Sequence, residues 1–163
     1  MFNAKLINSK ERKHLLQQLE VQFGCDCAFL KEYAIFYQEN QGRIMIAPQT
    51  ILDEDLQTLR VDSLGLYIGT QLPNNEIRLS IEGSQLIGPH ATKNVIELDD
   101  REFGKWIRGN VVEKETDIHG FVLLKHNDDF CGCGKPVRDE KTNVISIHNY
   151  IPKTRYVRSE DNT

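Results

Sequence analysis

Two apolar runs facing each other across a four-residue turn most constrain this chain's fold. CAFLKEYAIFYQ (27–38) is rich in aromatic and aliphatic residues, ENQG (39–42) is turn material, and RIMIA (43–47) returns. Such a pattern predicts an antiparallel hairpin. A second follows from SLGLYIGTQL (63–72), the turn PNNE (73–76) and IRLSIEG (77–83), read as strand, turn and strand. Two helices are expected around these hairpins. Asn8 and Glu11 stand at capping-box spacing ahead of an apolar stripe of Leu15, Leu16, Leu19 and Phe23, and Gly24 is placed to stop the helix. A shorter helix is expected from Ile51 or Asp53 through EDLQTLR. The first half thus reads as an α/β domain with an antiparallel sheet over residues 1–83.

SQLIGPHATK (84–93) lacks strand alternation and contains Gly-Pro, so it is read as a short helix and connector. Beyond it the character changes. NVIELD predicts a strand, and Asp99 with Glu102 again has capping-box form, starting a helix that ends at Gly109. Short apolar runs follow: VVE, GFVLLKH (120–126), FCGCGK (130–135), NVISIHNYI (143–151) and RYVR (155–158), with NDD and RDEKTN as turns between them. Many short strands with one helix suggest a small β-barrel over residues 94–158, followed by an acidic tail, 159–163. The glycines of GCGK are expected where a strand bends at a barrel corner or where another backbone approaches closely.

With 39% hydrophobic and 27% charged residues the chain suits a soluble globular protein. No run reaches the roughly 18–20 apolar residues of a membrane span. The start, MFNAKLINSKERKHL, lacks the apolar core of a secretory signal, so a cytosolic, cytoplasmic location is expected. In that reducing setting Cys25/Cys27 and Cys131/Cys133 are expected as small buried or half-exposed thiols, not disulfides. Two C-x-C arms are a weak match to structural zinc, whose arms run C-x2-4-C.

No catalytic constellation emerges. GRIM (42–45) is similar to the G-R-L-D stretch of pseudouridine synthases, but Met45 stands where the carboxylate is required. Cys25-x-Cys27 lacks the third cysteine and histidine of a transglycosylase zinc loop. Asp128-Asp129 between two strands reads as a solvated turn. GCGK lacks the Gly-to-Gly spacing and the Ser/Thr of a phosphate loop, since Lys135 is followed by Pro136. The five histidines, at 14, 90, 119, 126 and 148, have no adjacent catalytic partners. Hence no enzyme activity, cofactor or metal is expected.

What remains is NYIPKTRYVR (149–158). The formal net charge is −4, yet the charge is uneven: residues 1–92 hold 8 Lys/Arg against 11 Asp/Glu, and residues 93–158 hold 12 against 11. A local basic face is therefore permitted on the second half. Read as a strand, the stretch sends Lys153, Arg155 and Arg158 to a shared rim. There they would neutralise phosphates, while Tyr150 or Tyr156 stacks on an unpaired base. The competing reading is an edge strand whose cations discourage aggregation. Spacing does not separate the two.

RLSIEGSQLIGPHATKNVIELDDREFGKWIRGN (78–110), GFVLLKHNDDFCGCGK (120–135) and NYIPKTRYVR (149–158) together resemble the archaeal branch of the nuclear-import-protein-seven-like ribosome-biogenesis factors. The resemblance implies an α+β chain, with an N-terminal pre-PUA domain followed by a PUA pseudo-β-barrel. It implies a non-catalytic RNA-binding adaptor in rRNA processing and large-subunit assembly. The RNA implied is rRNA or its precursor, and binding to single-stranded U-rich or A/U-rich RNA is expected. RNA contact is implied at Lys153, Arg155 and Arg158, then at Arg108 and Lys135; Tyr156 joins them as a candidate from its own chemistry as a stacking ring. Ribosome-assembly proteins are implied as partners, docking on residues 1–80. The alternative is an accessory RNA-specificity subunit of a tRNA- or rRNA-modifying methyltransferase or transglycosylase.

Overall fold

In the computed structural model, residues 3–55 and 64–158 are described. The capping box at Asn8 forms: Asn8 Oδ1 accepts from the Glu11 N–H at 2.8 Å, and Glu11 Oε1 accepts from the Asn8 N–H at 3.3 Å. Helix α1 runs Ser9–Phe23, and Gly24 ends it in the left-handed region at φ 60°. Leu15, Leu19 and Phe23 are its buried stripe.

This stripe covers a five-stranded antiparallel sheet of β1 (Lys5–Leu6), β2 (Tyr33–Gln38), β3 (Arg43–Pro48), β4 (Leu66–Gln71) and β5 (Ile77–Leu79), in that order. Both expected hairpins are present, with shorter strands. The strand expected from residue 27 begins only at Tyr33, because Ala28–Glu32 form a 3-10 turn after the Asp26 carboxylate accepts the Ala28 N–H at 3.2 Å. Within this bend Cys25 and Cys27 are joined as a disulfide, their Cα atoms 5.5 Å apart. That corrects the expectation of free thiols: the turn sets the spacing a disulfide requires. Of the helix expected from about residue 51, the described part is a 3-10 turn, Gln49–Asp53, and EDLQTLR lies largely outside the described residues.

The second sheet contains β6 (Val95–Glu97), β7 (Val112–Glu113), β8 (Val122–His126), β9 (Asp129–Arg138) and β10 (Ile145–Asn149), ordered β6-β8-β9-β10-β7. All its pairs are antiparallel except β6–β8. The sheet curls around helix α3 (Asp100–Ile107), which starts at the expected Asp99/Glu102 box. Trp106 of α3 is fully buried inside the curl, and its Nε1–H donates to the Cys131 carbonyl at 2.7 Å. The expected strand bend occurs at Gly132 (φ 108°), where Cys131 and Gly132 together oppose Leu124 in a bulge. The close approach occurs at Gly134, where a Cβ would lie 2.6 Å from Ile147 and 2.8 Å from Trp106.

The strand expected in IRLSIEG stops at Leu79. Ser80 Oγ accepts the Gly83 N–H at 3.0 Å and donates to the Tyr67 carbonyl at 2.8 Å, turning the chain into helix α2 (Ile81–Ile87). This helix is wedged between the two sheets. Gly83 faces β4 so closely that a Cβ would lie 1.8 Å from the Ile68 carbonyl oxygen. Gly88, just beyond α2, lies against Phe130 of β9, where a Cβ would come within 2.4 Å of the ring. Between them the fully buried Ser84 hydroxyl accepts the Gly132 N–H at 2.9 Å and donates to the Ile81 carbonyl at 2.6 Å. The core is correspondingly shared: Leu19, Phe23, Ile68 and Ile77 form one apolar cluster with Phe121, Leu123, Phe130 and Cys133.

The architecture is mixed α+β, an antiparallel sheet beside a curled half-barrel. No helix among the described residues is long and apolar enough to cross a membrane.

Replacing Gly83 by Ala is expected to destabilise the fold by about 3 kcal/mol, because backbone must move to admit the methyl group. That corresponds to a fall in Tm of roughly 10 °C in a chain of this size. Gly104→Ala, in the middle of α3, meets only the movable Arg108 guanidinium at 3.2 Å. It should stabilise by about 0.5–1 kcal/mol through helix propensity. Thermal melting of both variants checks the contrast.

Candidate nucleic-acid interface

Residues 150–158 are not a strand. Their path is set at Asn149, whose Nδ2 donates to the Trp106 carbonyl at 2.6 Å and to the Asn110 carbonyl at 3.2 Å, while its Oδ1 accepts the Ile151 N–H at 2.8 Å. Pro152 contributes no N–H to continue a ladder. The backbone therefore leaves the sheet and makes a 3-10 turn at Lys153–Arg155. It then crosses the end of α3, where the Val157 N–H donates to the Ile107 carbonyl at 2.9 Å.

The cations expected on one rim are divided by this turn. Lys153 and Arg158 are exposed and have no ion-pair partner among the described residues. Arg108 is exposed where α3 ends, with its guanidinium donating to the Gly104 carbonyl at 2.9 Å. Arg155 pairs with Glu82 of α2. Tyr156 lies flat on Gly109, where a Cβ would be 2.2 Å from its ring. That ring is half-buried and packs against the core of the half-barrel.

A second basic surface begins at Arg155 and includes residues overlooked in the sequence. Lys135 Nζ stands 5.3 Å over the Phe121 ring, and Phe121 meets Tyr150 edge-on at 5.8 Å. Tyr150 is 38% exposed, and the Arg78 guanidinium of β5 sits 4.8 Å over its ring. Arg43 of β3 lies 4.4 Å over Tyr67 of β4. The strand register explains this arrangement: Thr70 pairs with Arg43 on one side and Arg78 on the other, so the two arginines share a row on one sheet face. Tyr67, Arg78, Ser80, Glu82, Tyr150 and Arg155 line a groove of about 180 Å³ where the two halves meet. One signal was available in the sequence: Arg43 and Arg78 each stand just after a hairpin turn, at the start of the returning strand.

Two of the histidines are engaged in packing. His126 bonds Asp100 at 2.8 Å and stacks on Phe103 at 4.0 Å, while His90 stacks on Phe29 at 4.6 Å. Burial pushes the thiols of Cys131 and Cys133 up to about 12, leaving both neutral and weakly nucleophilic near pH 7. No group of three or more His, Cys, Asp or Glu side chains among the described residues is placed to hold a metal ion.

Residues 93–155 match the family model described as the methyltransferase RsmF PUA domain. This segment is a PUA-like domain. The match takes in Arg108, Lys135, Tyr150, Lys153 and Arg155, whereas Arg43, Tyr67 and Arg78 precede it. No curated protein matches the chain.

The half-buried Cys131 and the buried Cys133 give a pH test. In the native protein, alkylation of Cys131 and Cys133 should be slow at pH 8 and should rise steeply only as the pH approaches about 12. In denaturant both should react at pH 8 at the rate of ordinary thiols, whose pKa is about 8.5. Mass spectrometry of iodoacetamide-treated protein reads both states.

Proposed function

We propose that this protein is a non-catalytic RNA-binding adaptor that acts in rRNA processing and large ribosomal subunit assembly through its PUA-like domain. One observation carries the reading. In a chain of net charge −4, Lys153 and Arg158 stand exposed and without an ion-pair partner among the described residues, on the turn that crosses the end of α3, where Arg108 lies. Phosphate groups are the natural counter-charge for such a set, and binding would release condensed counterions from RNA. The more acidic first half then repels nucleic acid over most of its surface and serves as the docking side for assembly proteins, through residues 1–80. A cytoplasmic place of action follows from the same role.

The matched family model favours a second reading, because it describes the PUA domain of a methyltransferase. On that reading the chain is an accessory subunit that presents tRNA or rRNA to a separate modifying enzyme. Affinity purification from cells separates the two: pre-ribosomal particles support the adaptor, and a methyltransferase or transglycosylase supports the accessory subunit.

Binding to single-stranded U-rich RNA, followed by fluorescence anisotropy, should weaken steeply with salt. Replacing Arg108, Lys153 and Arg158 together by Ala should make log K less dependent on log salt, by up to about 0.7 for each phosphate that is no longer neutralised. Unchanged affinity and slope in the triple variant would show that this face does not hold RNA.

A further inference from the structure

We infer that the groove between the two halves holds one unpaired nucleotide, with its base against the Arg78–Tyr150 pair and its phosphates beside Arg155 and Lys135. The inference rests on the RNA-binding reading above and extends the contact surface beyond the PUA-like domain onto the first sheet.

Charge comes first. Arg78 and Arg155 line the groove, with Arg43 over Tyr67 and Lys135 beside Tyr150's neighbour Phe121. One carboxylate, Glu82, lies among them and holds Arg155. That pair is partly exposed, with side chains 44% and 29% accessible, so solvent screens it and it is weaker than a buried pair. A phosphate can therefore compete with Glu82 for Arg155 or share its guanidinium. Until then Glu82 keeps the guanidinium at the groove.

Shape and chemistry come next. The volume of about 180 Å³ falls below the roughly 300–1,000 Å³ of sites that enclose drug-sized ligands, which argues against a dinucleotide cofactor. A single base entering from the open side suits it, and a duplex does not. The Tyr150 ring is held edge-on against Phe121, so it is oriented before anything binds. Its face is covered by a guanidinium at 4.8 Å, an interaction that is weak at an exposed site. A base either takes that face or stacks on the outer plane of Arg78, and both arrangements recur in recognition of unpaired RNA. An acidic peptide would use the cations but would leave the paired Tyr and Arg planes without a role.

Fluorescein-labelled decauridine, a mixed-sequence single strand of equal length and a perfect RNA duplex serve as probes, with the full chain throughout. Tyr150→Ala and Arg78→Ala should each weaken single-strand binding by about tenfold, the scale of removing one stacked base. Tyr150→Phe should bind nearly as well as the unaltered protein. Arg78→Lys keeps the charge but removes the plane, and should show most of the Arg78→Ala defect. Tyr150→Ala should leave the salt slope unchanged, which separates it from the Arg108/Lys153/Arg158 variant. Duplex affinity should not respond to either Tyr150 change. Ultraviolet crosslinking with mass spectrometry should attach uridine to Tyr150. If a melting curve shows that Arg78→Ala is poorly folded, the Tyr150 pair and the crosslink still decide.

The groove is overturned if the unaltered protein binds single strands and Tyr150→Ala binds equally well, with crosslinks confined to residues 153–158. In that case the RNA reading itself stands. If the unaltered protein binds none of the three probes, both readings fall together.

Discussion

Helix α2 is the constraint on which the rest of the structure depends. Only seven residues long, it has one side against β4 and another against β9, and both approaches need residues with almost no side chain. Gly83 lets the helix backbone approach Ile68, Gly88 admits the Phe130 ring, and Ser84 ties the bulge at Gly132 to the helix through a buried hydrogen bond. A bulkier residue at any of the three would push the sheets apart. Because the sheets are held this closely, an arginine of β5 can stand over a tyrosine that follows β10, some seventy residues later in the chain.

The electrostatics follow from that packing more than from the charge total. Although the chain has more acidic than basic residues, it presents cations at the turn over α3 and in the groove between the halves, among other exposed positions. At the first, Lys153 and Arg158 have no ion-pair partner among the described residues; at the second the cations are held over aromatic rings or by Glu82. Rings and one carboxylate hold guanidinium groups in place at low cost and release them readily. The two surfaces therefore suit different parts of a polyanion, the turn for backbone charge and the groove for a base.

Much of the fold could be read from short segments. The two capping boxes, the turn glycines and asparagines, and both hairpin turns depend on groups within four residues of each other, and they appear where their sequences indicate. The bends of GCGK are a further case, since the lack of a Cβ permits a bulge at Gly132 and close packing at Gly134 whatever the rest of the chain does. Errors arose where a distant partner intervened. RYVR has the composition of a strand, but Asn149 bonds Trp106 and Asn110 some forty residues away and draws the chain over α3. IRLSIEG continues its apolar pattern, and its local Ser80 cap to Gly83 was legible but overlooked; the bond from Ser80 to Tyr67, on the facing strand, then fixes the turn into helix.

The candidate site divides along the same line. Sequence alone determined that cations and aromatic residues cluster near the end of the chain, and that Gly, Pro and capping residues punctuate it into two sheets with their helices. Tertiary structure decided which way each side chain faces: Arg155 toward Glu82, Tyr156 onto Gly109, Arg43 and Arg78 into one row beside Tyr150. The physical reason is range. Caps and turns are settled by hydrogen bonds and steric limits within a few bonds of the backbone. The direction of a surface side chain depends on strand register, one bulge and the packing of two sheets across α2, and these exist only once residues far apart in the chain have come together.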